Sequence, residues 1–365
     1  RMDTDIPGEA VLIGAAPLEA LVRDIFLAAG CDAEEAGRIA RHLLGANLAG
    51  HDSHGVARVP RYVEWKEAGH VLAGRNAAIV TDGGAFALLD GQFGFGQTVA
   101  AQATALGIER ARSHGAAVIG LRNAGHIGRV GAYAEQAIEA GLISVHFVNV
   151  AGSTLVAPFG GTERRFSTAP FCVGVPTAPP VVLDFATSRV AEGKVLVASQ
   201  GGKPLPPDAL IEPDGRLSAD PRTLYGPYEK AGPRNPAGGA GAIRAFGEHK
   251  GSGLAFVCEL LAGALTGGGC SGPVRERGRI ANGMLSVFLS PRHFGDEAAF
   301  RRAAEEYVAW VKSCRPAEPG GEVLAPGEPE ARLRAKRLAE GVPLQPDTWE
   351  SILRCARRLG VPTPA

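Results

Sequence analysis

The spacing of apolar positions changes period along the chain, and the change marks where one kind of element gives way to another. Over "APLEALVRDIFLAAG" apolar side chains recur at helical spacing, and the run closes on Gly30, a residue suited to a helix C-cap. Asp32 followed by Glu35 is a capping-box signature for a second helix over residues 33–49. A third helix, "RYVEWKEAG", begins beside Pro60. From about Ala77 the period shortens, and "AAIVTDGGAFALLDG" predicts two short strands around Gly83-Gly84. Helices over "QTVAAQATALGIERARSHG" and "VGAYAEQAIEAG" alternate with strands "AAVIGLRNA" and "LISVHFVNV", and the strands "FCVGVPT" and "VVLDFA" follow. Such alternation predicts an α/β sheet. Residues 201–247 are rich in Pro and Gly and predict long loops, followed by a long helix "SGLAFVCELLAGALTG" and a strand "MLSVFLS". From Ser290 the pattern is charged and helical to the end. The expected organisation is a helical domain from residues 1–76 plus 290–365 and a sheet domain over 77–289.

Composition narrows the class. A chain of 365 residues with 45% hydrophobic and 21% charged residues has enough apolar content for a sizeable core. Lys+Arg and Asp+Glu are both 38, so no basic excess points to nucleic acid or a membrane surface. The longest apolar runs are too short or too glycine-broken to span a bilayer. The opening "RMDTDIPGEA" lacks the apolar stretch of a signal peptide, so a cytoplasmic protein is expected. Six cysteines, Cys31, Cys172, Cys258, Cys270, Cys314 and Cys355, are scattered with no C-x-x-C pair, and neither zinc nor a disulfide framework is expected. Glycine is the outlier: 50 residues, roughly twice the usual share of about 7%. Glycines in quantity mean tight turns or close approach of backbone to a ligand.

Four polar clusters interrupt the apolar pattern. "GHDSHGVAR", residues 50–58, follows the second helix. His51 and His54 could share a helical face as metal ligands, but no glutamate lies between them and Gly55 breaks the helix. Ser53 is adjacent to His54, so their side chains are expected to diverge, a poor geometry for a hydrolase triad. His54 as a simple C-terminal helix cap is the plain alternative. "NAGHIGRVGAY" joins a strand to a helix through Gly125, Gly128 and Gly131, with His126 and Arg129 between them. Its spacing is not G-x-G-x-x-G, although a helix N-terminus there can still meet a ligand. "LDFATSRVAEGK" puts Asp184, Thr187 and Ser188 at a strand end, as ligand contacts or as an ordinary Asx-turn. "GEHKGSGLAF" sets His249 and Lys250 at a helix start, where a cation favours a nearby anion such as phosphate.

In order along the chain, "SHGVARVPRYVEWKEAG", "NAGHIGRVGAYAEQAIEAGLI", "RFSTAPFCVGVPT", "LDFATSRVAEGKV", "HKGSGLAFVCELLAGALTG" and "LAPGEPEARLRAKRLAEGVPL" resemble the malate/L-lactate dehydrogenase family of NAD(P)-dependent 2-oxoacid oxidoreductases, from about residue 16 to 360. Its relatives include ureidoglycolate, sulfolactate, 2,3-diketogulonate and piperideine-2-carboxylate enzymes. The resemblance implies a non-Rossmann α/β fold in which a mixed sheet binds NAD or NADP. It also implies a helical domain from both chain ends that carries the catalytic residues, and a homodimer. By motif, His54 resembles the proton donor, with a pKa near 6.5 suited to neutral pH. Ser53 and Arg58 resemble substrate-orienting groups, Arg58 gripping a carboxylate. His126 and Arg129 resemble residues near nicotinamide and substrate. Thr168, Asp184, Phe185, Ala186, Thr187, Ser188, His249, Lys250, Pro326, Gly327 and Glu328 match cofactor-contact segments. The expected reaction is hydride transfer between NAD(P)H and a small 2-oxo acid. The alternatives are a cyclic-imine carboxylate reductase on the same scaffold and a non-catalytic nicotinamide or metabolite binder. The family's "GTNP" is here "STAP", with Ala169 in place of Asn, and the position before His249, often aromatic, is Glu248.

Overall fold

A computed structural model describes residues 10–199, 203–227, 235–236, 238–272, 279 and 281–364. Most of the opening decapeptide and parts of the predicted loop region 201–247 lie outside them. The chain starts with β1 (Val11–Ile13), α1 (Ala15–Ala28), α2 (Ala33–Leu48) and α3 (Val59–Glu67). Asp32 caps α2 by accepting from the Glu35 N–H at 2.8 Å. Glu35 itself does not complete the box: it is buried and takes the Gly74 N–H at 2.9 Å. There follow β2 (Ala78–Asp82), β3 (Phe86–Asp90), α4 (Gly96–His114), β4 (Ala116–Ala124), α5 (Gly131–Glu139) and β5 (Ile143–Ala151). Next come β6 (Val156–Ala157), β7 (Pro170–Val175), β8 (Val181–Ala186), α6 (Glu192–Ser199), β9 (Leu210–Ile211), β10 (Leu217–Ser218) and α7 (Arg222–Tyr225). The chain continues with β11 (Ala242–Arg244), α8 (His249–Cys258), β12 (Ala281–Leu289), α9 (Pro291–Phe294), α10 (Glu297–Lys312), α11 (Glu328–Glu340), β13 (Val342–Leu344) and α12 (Pro346–Arg358).

Seven strands form a mixed sheet in the order β2-β3-β4-β12-β5-β7-β8. Only β3 and β4 run parallel; every other neighbouring pair is antiparallel. The late strand β12 lies between β4 and β5, so the two strands that flank α5 are not neighbours. Three elements depart from the sequence pattern. Part of 201–247, expected as loop, pairs into a small sheet, β10-β9-β11-β6. The end expected to be all helix holds β13, which pairs with β1 and ties the two chain ends together. The predicted long helix is α-helical only to Cys258 and then widens into a π segment, Glu259–Ala264. The widening starts where the buried Glu259 accepts from Ser167 Oγ at 2.9 Å, Asn149 Nδ2 at 2.8 Å and the Ser271 N–H at 2.7 Å.

The described residues form three apolar cores. One joins α1–α3 with Val342, Leu344, Ile352 and Ala356, residues from both ends of the chain. A second lies between the large sheet and α4–α5. The third packs the small sheet against α6, α7 and α8. Helix α10 contributes no buried residue to any of them.

Candidate active site

Beyond α2 the chain makes two tight turns, Asp52–His54 and Val56–Arg58. The turn is clamped from below. Arg337, 5% exposed, donates to Asp52 through Nη1 at 2.6 Å and Nη2 at 3.1 Å and to the Asn47 carbonyl. Asn47 Nδ2 donates to Asp52 Oδ1 at 2.6 Å while its Oδ1 takes the Val56 N–H at 2.8 Å. Gly55 is needed for space rather than for an unusual backbone, since a Cβ there would lie 2.1 Å from Asn47 Oδ1. His51 Nε2 lies 3.7 Å from Glu330 Oε1, an outward tether to α11.

On the upper side of this turn Ser53 Oγ is 3.0 Å from His54 Nδ1. The expectation that these adjacent side chains diverge is corrected: the three-residue turn folds the hydroxyl onto the ring. Arg58 Nε donates to the Ser53 carbonyl oxygen at 2.6 Å, which turns its guanidinium over the same turn. The His54 ring stacks on His126, centroids 5.6 Å apart with 14° between planes. His126 arrives from the loop after β4, so two clusters distant in sequence share one site. Behind it, Gln97 Nε2 donates to the Tyr62 oxygen at 3.2 Å and to the His126 carbonyl at 3.0 Å, and the Tyr62 hydroxyl is 2.6 Å from His126 Nδ1. Burial pushes the Tyr62 phenol up to about 12, so it stays protonated and can donate to Nδ1. That assignment leaves the His126 proton on Nε2. Burial, followed by the charge of Arg58, pushes His54 down to about 3 and holds His126 well below its ordinary value. A pKa near 6.5 for His54 is therefore corrected: the imidazole is neutral because its surroundings are poorly solvated and already hold a cation.

Arg129 is almost fully buried and forks onto Glu135 at 3.0 and 2.7 Å. Its Nε lies 3.9 Å from Asp184, which in turn accepts the Gly131 N–H at 2.7 Å. These two residues brace the α5 N-terminus beneath His126. The Arg129 backbone N–H donates to His42 Nε2 at 3.0 Å, close against Gly128, whose positive φ of 73° favours glycine. Thr187 is buried and donates to the Thr168 and Ala169 carbonyls at 3.0 and 2.9 Å. Ala169 is fully buried and does not face the site; its φ of 33° is one that asparagine or glycine adopts more readily. Phe185 stacks between Phe171 and Phe246, and Ala186 pairs with Pro170. Ser188 bridges to Ala245, next to a cavity of about 290 Å³ lined by Phe159, Gly160, Arg244, Ala245 and Glu248. His249, at the start of α8, stacks edge-on against Phe159, and Lys250 is exposed on the next position. Pro326–Glu328 are not brought to this group. The Pro326 carbonyl accepts from the Val182 N–H at 3.1 Å, at the opposite end of β8 from Ser188, and Glu328 pairs with Lys312.

Tyr62, Gln97 and Asn47 were not legible as site residues, because each sits inside a helix whose local pattern does not mark what stands opposite it. Glu192 and Tyr225 complete the wall: Glu192 Oε2 lies 3.9 Å from Arg58 Nη2, and the Tyr225 hydroxyl donates to its Oε1. Glu192 stood inside the quoted "SRVAEGK" motif, but nothing in its spacing singled it out.

The sequence profile of the malate/L-lactate dehydrogenase family matches residues 13–353. The chain belongs to the malate/L-lactate dehydrogenase family. Among its relatives, hydroxycarboxylate dehydrogenase B of Escherichia coli is 40% identical over 353 residues, covering 95% of this chain and 94% of the relative. The L-lactate dehydrogenase of Cupriavidus necator is 35% identical, covering 94% and 97%. The solved structure of malate dehydrogenase from Pyrococcus horikoshii superposes with a TM-score of 0.86 at 26% identity, covering 99% of both chains. Like these dehydrogenases, the protein is an oxidoreductase of 2-hydroxy acids, on a mixed-sheet α/β fold. No helix among the described residues is long and apolar enough to cross a membrane.

Proposed function

We propose that this dehydrogenase transfers a hydride between a nicotinamide dinucleotide, NAD or NADP, and a small 2-oxo acid, reversibly forming the 2-hydroxy acid. The observation that carries the reading is the convergence of two neutral imidazoles, His54 and His126, with the Arg58 guanidinium. The residues present fit a nicotinamide cofactor: the buried Ser188 hydroxyl has no hydrogen-bond partner among the described residues, and it adjoins the cavity between Phe159 and Arg244. Thr168, Thr187, Ser188, His249 and Lys250 would hold the cofactor, which supplies the hydride.

Arg58 offers a planar fork to the substrate carboxylate, and Ser53 lies beside it to orient the neighbouring oxygen. His126, with its proton on Nε2, donates a hydrogen bond and cannot easily become an acid itself. Neutral His54 takes the hydroxyl proton during oxidation. In reduction, a substrate carboxylate on Arg58 cancels the largest charge that opposes the imidazolium, so His54 can carry and deliver the proton.

The proposed division into a helical unit from both ends (1–76 plus 290–365) and a sheet unit (77–289) is supported by the core that joins α1–α3 to α12. The exposure of α10 with Tyr307 and Trp310, and of Phe256, Val257 and Leu260 along the α8 turn, supports a homodimer. The cytoplasm is the proposed compartment. Purified protein should oxidise NADH or NADPH when offered a panel of small 2-oxo acids such as pyruvate. His54→Ala should lower kcat by about 10²–10⁴-fold while cofactor fluorescence quenching persists. Full activity in that variant removes His54 from the mechanism, and turnover of piperideine-2-carboxylate alone replaces the carbonyl substrate by an imine.

A further inference from the structure

The guanidinium that the mechanism assigns to the substrate carboxylate already faces a second carboxylate. Glu192 opens α6, and its Oε2 lies 3.9 Å from Arg58 Nη2. Its Oε1 is held by the Tyr225 hydroxyl, whose ring is packed in the third core. The backbone beside it runs close against the catalytic turn, where a Cβ on Gly193 would lie 2.5 Å from Ser53 Cβ. Glu192 is therefore pinned between a buried tyrosine and the catalytic turn, with its side chain only 22% exposed. Arg58 is equally fixed through its bond to the Ser53 carbonyl.

Among the described residues of this wall, Arg58 contributes one cation and Glu192 one anion, while His54 and His126 are held neutral by burial and by Arg58. Lys194, two positions along α6, is exposed, and residues two apart on a helix point to different faces. Asp52, across the turn, is spoken for by Arg337. One substrate carboxylate can share the Arg58 fork. A second anionic group a few bonds further along the substrate would meet the Glu192 charge in a partly desolvated site, with neither histidine to offset it. Like charges a few ångströms apart are penalised strongly there, and rejecting a competitor by unpaired charge is a common source of specificity.

We infer that Glu192 is a specificity-determining residue that excludes 2-oxo acids carrying a second anion and selects those with an uncharged side chain. The inference rests on the proposed 2-oxo acid reading with Arg58 as the carboxylate grip. It sets this enzyme's substrate class apart from dicarboxylates such as oxaloacetate and from sulfonated analogues.

Initial rates with NADH or NADPH on pyruvate, 2-oxobutyrate and phenylpyruvate against oxaloacetate and 2-oxoglutarate test it. In the native enzyme kcat/KM should favour the monocarboxylates at least tenfold. In Glu192→Gln the dicarboxylate-to-monocarboxylate ratio of kcat/KM should rise at least tenfold, through the KM of the dicarboxylates. Tyr225→Phe, which keeps the carboxylate, should retain the native order of preference. The inference is overturned if the native enzyme prefers a dicarboxylate, a result that does not depend on any variant folding. It is also overturned if Glu192→Gln leaves the ratio unmoved, as a residue that merely braces Arg58 would. If no 2-oxo acid of either class is turned over with either nicotinamide, the functional reading itself falls and takes this inference with it.

Discussion

Replacing Tyr62 by phenylalanine separates the two jobs of its hydroxyl. The ring is 2% exposed and packs edge-on against Phe26, so a phenylalanine at this position would fill the same space and leave no cavity. What is lost is the 2.6 Å bond to His126 Nδ1 and the 3.2 Å bond accepted from Gln97. Gln97 keeps the His126 carbonyl at 3.0 Å, but Nδ1 is left without a partner. An unsatisfied buried polar group costs roughly 1–3 kcal/mol, so a stability loss of about 2 kcal/mol is expected. The second effect is chemical. Without the Tyr62 donor, His126 can move its proton to Nδ1, and the Nε2 donor proposed to face the substrate oxygen is lost. Removing one donor aimed at developing charge lowers kcat by up to about 10²–10³-fold; a partly populated wrong tautomer should lie near the low end. Urea unfolding would measure the first effect at unchanged m, initial rates the second, and ¹⁵N spectra of the ring the tautomer. A native enzyme with His126 protonated on Nδ1 would refute the donor chain, as would a variant within about 0.5 kcal/mol of native stability and within about twofold in kcat.

Gly55→Ala forces a Cβ into the Asn47 amide and should cost about 1–3 kcal/mol of overpacking, with activity falling further than the folded fraction because the Asp52 clamp shifts; thermal unfolding beside specific activity checks both, and native values in each would show that the turn can yield. His146 is fully buried between Ser144 and Ser286, and burial pushes it down to about 3. Its folded value lies below its unfolded one, so stability is intact above about 6.5 and is lost as pH falls toward 3; from pH 7 to pH 5 the loss is about 2 kcal/mol. His54 and His126, also depressed by burial, add to the same slope, so His146→Gln should remove about 2 kcal/mol of the loss between pH 7 and pH 5 in denaturant titrations, and an unchanged slope would assign the acid sensitivity elsewhere.

Much of the candidate site was legible, but unevenly. Ser53, His54, Arg58, His126 and Ser188 could be picked out because each sits in a glycine-rich turn or at a strand end that interrupts a regular apolar pattern. Tyr62 and Gln97 could not, since a residue on the apolar face of a helix carries no mark of what stands opposite it. The pKa of His54 was misread for a related reason: the type of residue sets the reference value, whereas burial and the nearness of Arg58 set the actual one. His51 gained its partner, Glu330, only once α11 was placed.

Periodicity, capping residues and turn glycines determined the helices and most of the strands, because those signals act between residues a few positions apart. The tertiary structure alone decided which elements became neighbours. It inserted β12 between β4 and β5, paired β1 with β13, and turned part of a Pro- and Gly-rich stretch into strands, one of which, β11, hydrogen-bonds to β6. It also set Tyr62 on His126, 64 residues away, and Arg337 under Asp52, 285 residues away. Contacts at such separations repay the entropy of closing the intervening chain only through burial in a common core, and no local pattern records which distant surface will supply it.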